Sequence, residues 1–240
     1  MRHAGKIAAA ARQIAGDMVT VGATTQSINK KVHSFIISHG AVPAFLNYNG
    51  FPASVCISVN EEVIHGIPSS RKLIGGDVVS IDVGAIKDGF VGDCAATFIA
   101  GSGCAESERL IRVTRECFFE GLKFARVGYR VSDISRAIQQ LAEENGYSVV
   151  REYVGHGVGS KIHEPPEVPN YIEIPRKKAD PRLMPGMTLA IEPMVNAGGP
   201  EIKILDDGWT VVTLDGIKSA HYENTILITE GEPEILTIVE

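Results

Sequence analysis

The chain has 240 residues, 44% hydrophobic and 22% charged, with a formal net charge of −6. That composition describes an ordinary globular protein able to bury a sizeable core without disulfides or a structural metal, and the acidic balance argues against a nucleic-acid or membrane-surface binder while suiting a protein that attracts cations. Cys56, Cys94, Cys104 and Cys117 form no C-x-x-C pair and read as reduced thiols of a cytoplasmic protein; Met1 leads into Arg2-His3-Ala4-Gly5-Lys6 rather than a secretory signal, and no apolar run approaches the ~18 residues of a membrane span.

In chain order, Ile7, Ala8, Ala11, Ile14, Ala15 and Met18 share one face and predict a helix over residues 4–21. A second helix is expected to start at Thr24-Thr25, which can cap it, and to stop at Gly40. The period then changes. Residues 54–59 and 63–65 read as short strands, and residues 78–85 and 90–100 as a hairpin closed by Asp88-Gly89. A helical pattern returns over residues 106–127, and Ser132 is placed to cap a helix running to Gly146. Strands are expected at 148–155, 187–195, 202–205, 209–213 and 219–229, with a turn at Asp206-Asp207-Gly208 and a proline-rich surface loop over 165–185. The order of helix, helix, strands thus occurs twice. It implies one α+β domain spanning 1–240, built as two similar halves of about 1–103 and 104–240, with a central antiparallel sheet, helices packed outside it and a cleft between the halves.

The chemistry lies in acids that strands ordinarily avoid. Asp82 sits in "VVSIDVGAI" and Asp93 in "FVGDCAATF". A two-residue turn at Asp88-Gly89 sets Asp82 opposite Ala95, so Asp82 and Asp93 become diagonal neighbours on one face of the hairpin. Glu192 in "MTLAIEPMV" and Glu223 in "SAHYENTILIT" are likewise flanked by apolar residues, and His156 lies at the end of a strand. A lone acid on a strand would usually face water. Four of them, with Lys218 as the nearest basic residue of these segments, point instead to a divalent metal held by carboxylates and one imidazole, and to two metals sharing carboxylates.

The stretch "GHGVGSKIHEPPEV" spaces three glycines alternately and sets His156 and His163 seven residues apart. A phosphate-binding glycine loop needs a helix after it, and a proline-rich loop follows here instead. Gly155, Gly157 and Gly159 are therefore expected to let backbone pass close to metals and substrate. His3, His33 and His39 fall on predicted helices and are expected to be solvated, while His221 should share a strand face with Glu223 in a supporting role.

Taken in order, "FPASVCISVNEEVIHGIP", "SIDVGAIKDGFVGDCAATF", "GHGVGSKIHEPPEV", "AIEPMVNAGG", "DGWTVVTLDG" and "AHYENTI" resemble the type I methionine aminopeptidases, over essentially the whole chain. The resemblance implies the pita-bread fold. It also implies five metal ligands, Asp82, Asp93, His156, Glu192 and Glu223, with Asp93 and Glu223 bridging two divalent ions (Co, Mn, Fe or Zn). It assigns catalytic roles to His65 beside the scissile amide, to His163 on the substrate carbonyl and to Glu192 in proton transfer. It lines a methionine pocket with Tyr48, Phe51, Cys56, Ile162 and Trp209. The implied substrate is the initiator methionine of a nascent polypeptide whose second residue is small, cleaved by a cytoplasmic monomer associated with ribosomes and with neither nucleic acid nor membrane as a partner. Two other readings share the fold: a peptidase for X-Pro bonds, and a non-catalytic binding protein.

Overall fold

The computed structural model describes residues 1–172 and 180–239. Helix α1 (Arg2–Asp17) starts earlier and ends earlier than its pattern predicts, because Val19, Thr20 and Val21 are β-branched and Gly22 turns the chain at φ +89°. Its buried face is made of Ala4, Gly5, Ala8, Ala9, Ala11 and Ala15, small residues that let the helix axis lie close to the sheet. A Cβ on Gly92 would meet the backbone of Ala4 and Gly5 at 2.5–2.6 Å, so the crossing needs glycine. Helix α2 (Thr25–Ser38) is capped as expected: Thr24 accepts a hydrogen bond from the Ser27 amide.

The short strands β1 (Val42–Pro43), β2 (Cys56–Val59) and β3 (Glu62–Ile64) precede the long hairpin of β4 (Val78–Lys87) and β5 (Phe90–Ile99). Asp88 and Gly89 both have positive φ, 52° and 79°, the conformation of a two-residue turn whose twist matches the strands. Helices α3 (Ala105–Leu122) and α4 (Val131–Glu144) follow. Helix α3 is shorter than expected, its last apolar residues reaching the core through turns. Ser132 does not cap α4. The helix begins at Val131, Arg130 is the capping residue, and the Ser132 amide and hydroxyl both donate to the Asp180 carboxylate.

The remaining strands are β6 (Ser148–Val149), β7 (Gly155–Gly157), β8 (Glu164–Val168), β9 (Thr188–Ile191), β10 (Met194–Asn196), β11 (Ile202–Ile204), β12 (Val211–Thr213), β13 (Ser219–His221), β14 (Glu223–Leu227) and β15 (Glu234–Ile235). They form a nine-stranded antiparallel sheet in the order β1-β4-β5-β14-β9-β7-β8, with β2 also on β4 and β15 also on β14, and two three-stranded sheets, β13-β10-β6 and β11-β12-β3. The proline-rich loop expected over 165–185 is in part strand β8, and its residues 173–179 lie outside the described residues.

Three strands that hydropathy reads as continuous are each broken. Over 148–155 and 219–229 the chain passes from the three-stranded sheet β13-β10-β6 to the main sheet, and over 187–195 it passes the other way; in chain order, it bends at Arg151–Val154, at Glu192-Pro193 and at Tyr222. Proline cannot continue a ladder, which accounts for the second break.

The helices cover one face of the main sheet. Ile81, Val83 and Ala85 of β4 meet α1 and α2 in one core, and Leu189, Ile191 and Ile226 of β9 and β14 meet α3 and α4 in another. This is the pita-bread arrangement, and it leaves the opposite face of the sheet for the site.

Candidate metal centre

The sheet register assembles the site. Asp82 pairs with Ala95, as the turn requires, and Ala95 pairs on its other side with Glu223. Cys56 pairs with Asp82, so one row across four strands reads Cys56, Asp82, Ala95, Glu223. Asp93 lies two residues from Ala95, and Glu192 follows the end of β9, where Ile191 pairs with Asn224. His156 enters from β7, paired with Ala190. The bend at each broken strand therefore delivers a donor: His156 after the first, Glu192 within the second, Glu223 after the third.

Backbone and side-chain bonds hold this row. The Thr225 hydroxyl accepts from the Asp93 amide (3.1 Å) and donates to the Asp93 carbonyl (2.8 Å). From α1, the Arg12 guanidinium donates to the Glu223 carbonyl (3.0 Å) and to Asn224 Oδ1 (3.1 Å). That cation is thus directed to amide and carbonyl oxygens rather than to the carboxylates.

The acids have no such relief. Burial, followed by repulsion from the neighbouring acids, raises the pKa of Asp82, Glu192 and Glu223, and burial pushes Asp93 up to about 7. One oxygen each of Asp82, Asp93 and Glu223 is buried without a hydrogen-bond partner among the described residues. His156 Nε2 lies 3.3 Å from Glu192 Oε1, and its Nδ1 lies 2.9 Å from the Gly157 carbonyl, which fixes Nδ1 as the protonated nitrogen and leaves Nε2 as a donor to a cation. Burial, then His163, lowers the His156 pKa to about 4, so the ring is neutral. Crowded carboxylate oxygens beside a neutral imidazole fit a divalent cation, whose charge would compensate them.

Above this floor is a cavity of about 260 Å³. The candidate site residues named from sequence all line it: the four acids and the imidazole of the floor, His65 and His163, and Tyr48, Phe51, Cys56, Ile162 and Trp209. Its apolar wall is tightly built, with the Phe51 ring edge-on to Trp209 at 5.2 Å. His65 adopts φ +59°, a strained conformation for a side chain of its size, and stands edge-on to Tyr153. Gly66 beside it packs on β2, where a Cβ would meet the Ile57 carbonyl oxygen at 2.3 Å. Burial, then His163, brings the His65 pKa down to about 4. His163 is at the mouth, its Nδ1 2.7 Å from the Tyr48 hydroxyl and its ring 4.3 Å from that of His156.

Sequence reasoning missed Phe45, Asn49, Ile64, Tyr153 and Val154 of the lining. Only the αL-prone asparagines around Tyr48 could have suggested a tight loop there; Asn47 and Asn49 have φ of 65° and 49°. The glycines serve packing within the protein. A Cβ on Gly155 would meet the Ala190 carbonyl oxygen and one on Gly157 the Pro165 carbonyl oxygen, each at 2.4 Å, and one on Gly159 the Glu164 carboxylate at 2.8 Å. They admit neighbouring strand and loop atoms. His33 departs from expectation, being half-buried with Nδ1 2.9 Å from the Ser54 hydroxyl; His39 is exposed as expected, but lies just beyond the end of α2.

Residues 1–230 match metallopeptidase family M24. The chain is 53% identical over 240 residues to a methionine aminopeptidase of Clostridium perfringens, covering 100% of this chain and 95% of that one. It is 50% identical over 239 residues to methionine aminopeptidase 1 of Bacillus subtilis, with the same coverage. Among solved structures, methionine aminopeptidase from Rickettsia prowazekii superposes with a TM-score of 0.95 at 43% identity, over 99% of this chain and 95% of that one. Prolidase from Pyrococcus furiosus superposes at 0.80 and 25% identity over 100% of this chain and 63% of that one.

Proposed function

The chain belongs to metallopeptidase family M24, and from that premise we propose that it is a metal-dependent aminopeptidase that removes the N-terminal methionine of nascent proteins whose second residue is small. The observation that carries this reading is the cavity itself: a floor of four clustered carboxylates, Asp93 and Glu223 buried among them, and a neutral imidazole under an apolar pocket of side-chain size.

In this reading Asp82, Asp93, His156, Glu192 and Glu223 would hold two divalent cations drawn from Co, Mn, Fe or Zn. Divalent cations so held supply a water of lowered pKa and polarise the scissile carbonyl. The chain's own residues do the rest. With the Tyr48 hydroxyl, 2.7 Å away, donating to His163 Nδ1, the ring proton would lie on Nε2, free to donate to the substrate carbonyl oxygen and to the oxyanion that develops there. Glu192, whose pKa burial raises, carries a proton towards the leaving amine. Asp82 receives the free α-amino group, which restricts cleavage to the first residue. Phe51, Cys56, Ile162 and Trp209, with Phe45, close around the unbranched methionine side chain. His65 stands by the scissile amide and limits the second residue to small side chains. The catalytic unit is a monomer of residues 1–240 in two halves, about 1–103 and 104–240, working in the cytoplasm on chains emerging from the ribosome. No described helix is long and apolar enough to cross a membrane.

A panel of Met-Ala-Ser, Met-Pro and X-Pro peptides, with Co, Mn or Fe supplied, tests the assignment. Release of methionine from Met-Ala-Ser is expected. Cleavage of X-Pro without preference for methionine would replace this reading with the X-Pro one, and no metal-dependent release would leave only a binding protein of the same fold.

A further inference from the structure

His221 is the last residue of β13, immediately before the bend at Tyr222 that leads to Glu223. It is 2% exposed, and neither ring nitrogen has a hydrogen-bond partner among the described residues. Its backbone is held firmly, since its amide donates to the Thr97 hydroxyl (2.9 Å) and its carbonyl accepts from it (2.8 Å). A buried imidazole with both nitrogens open is costly, and the family resemblance gives this residue no ligand role.

The distances indicate what could satisfy it. His221 Nε2 lies 3.8 Å from Glu223 Oε2. That is too long for a hydrogen bond. Two donors held by one cation at about 2.1 Å each can be up to about 4.2 Å apart, so the same separation suits a shared ion. His156 Nε2 and Glu192 Oε1, at 3.3 Å, meet the same criterion. Ligand atoms of Glu192, His221 and Glu223 all lie within 4.8 Å of one another, as do those of Asp93, His156 and Glu223. His221 is absent from the cavity lining, so it does not face the substrate space directly.

We propose that His221 is a second nitrogen donor to the metal centre, joining Glu192 and Glu223, so that the centre is held by two imidazoles rather than one. This rests on the metal-centre reading above and extends it. Imidazole nitrogen favours the later first-row ions, whereas an all-carboxylate shell suits Mn. His221 therefore biases the centre towards Fe, Co or Zn and against Mn.

The test is the proton NMR spectrum of the full chain loaded with Co(II), in which a cobalt-bound imidazole shows a paramagnetically shifted, exchangeable N–H resonance. Two such resonances are expected in the wild type, one from His156 and one from His221. His221→Gln should lose one of them and lower the ratio of Co(II) to Mn(II) affinity, measured by calorimetry, by about tenfold or more. A single resonance in the wild type overturns the inference whether or not the variant folds, and so does a variant with an unchanged affinity ratio. Failure of the metal-centre reading looks different: no tight Co(II) binding and no shifted resonance at all.

Discussion

His163 is the residue whose role depends most on one contact. The Tyr48 hydroxyl lies 2.7 Å from its Nδ1, and donation from that hydroxyl would keep the ring proton on Nε2. His163→Ala should lower kcat by about a hundred- to a thousandfold, the usual loss for a donor to a developing oxyanion, with little change in KM. Tyr48→Phe should shift kcat in the same direction by less; an unchanged kcat in steady-state assays of either variant would remove His163 from the reaction. Asp93→Ala and Glu223→Ala should each reduce kcat/KM more than about a hundredfold and reduce bound metal, and near-wild-type turnover with metal retained would contradict their shared role. Residues of these two kinds differed in how readable they were. Asp82 and Asp93 stand out because aspartate opposes strand propensity, and the Asp88-Gly89 turn sets their register without any structure. His65 and His163 carry no periodic signal, and the left-handed backbone of His65 has no signature in the residue itself; only family resemblance drew attention to them.

At the scale of elements, hydropathy located both pairs of helices and the long hairpin but joined strands that the fold divides. Patterns over 148–155, 187–195 and 219–229 are apolar on both sides of each bend because both sheets bury them, so nothing but Pro193 announces a break. Strands β1 and β15, of two residues each, are too short to have a pattern, and the prolines of β8 argue against a strand that its pairing with β7 nevertheless forms. Close packing of β7 on its neighbours depends on missing side chains. Gly157→Ala puts a Cβ 2.4 Å from the Pro165 carbonyl oxygen, beside His156. It should cost about 1–3 kcal/mol by overpacking and weaken metal binding; thermal melting and calorimetry would measure both, and an unchanged melting temperature would show that the strands part without cost.

For the whole molecule, the four acids of the site floor make stability depend on pH and metal together. Their folded pKa values are raised, Asp93 to about 7, above an unfolded carboxylate range near ~4. The metal-free folded state thus binds more protons than the unfolded chain over that interval, so its stability is greatest below about pH 4 as far as these groups are concerned and declines as pH rises towards 7. In chelator, the melting temperature should fall between about pH 6.5 and pH 7.5, above the range in which the lowered pKa values of His65, His156 and His221 contribute a rise, and the gap opened by adding Co(II) or Mn(II) should widen over the same range. A metal-free melting temperature that rises through that interval would mean that the acids are compensated within the chain.

All of these expectations depend on the carboxylate floor being a metal-dependent hydrolytic centre. The most direct measurement is methionine release from Met-Ala-Ser by protein stripped with chelator and then titrated with Co(II) or Mn(II), with Asp93→Ala carried in parallel. The wild type should be inactive when stripped and recover as metal is added, while Asp93→Ala should stay inactive at metal concentrations that saturate the wild type. Full release by the stripped wild type, or recovery by the variant equal to that of the wild type, would contradict the account.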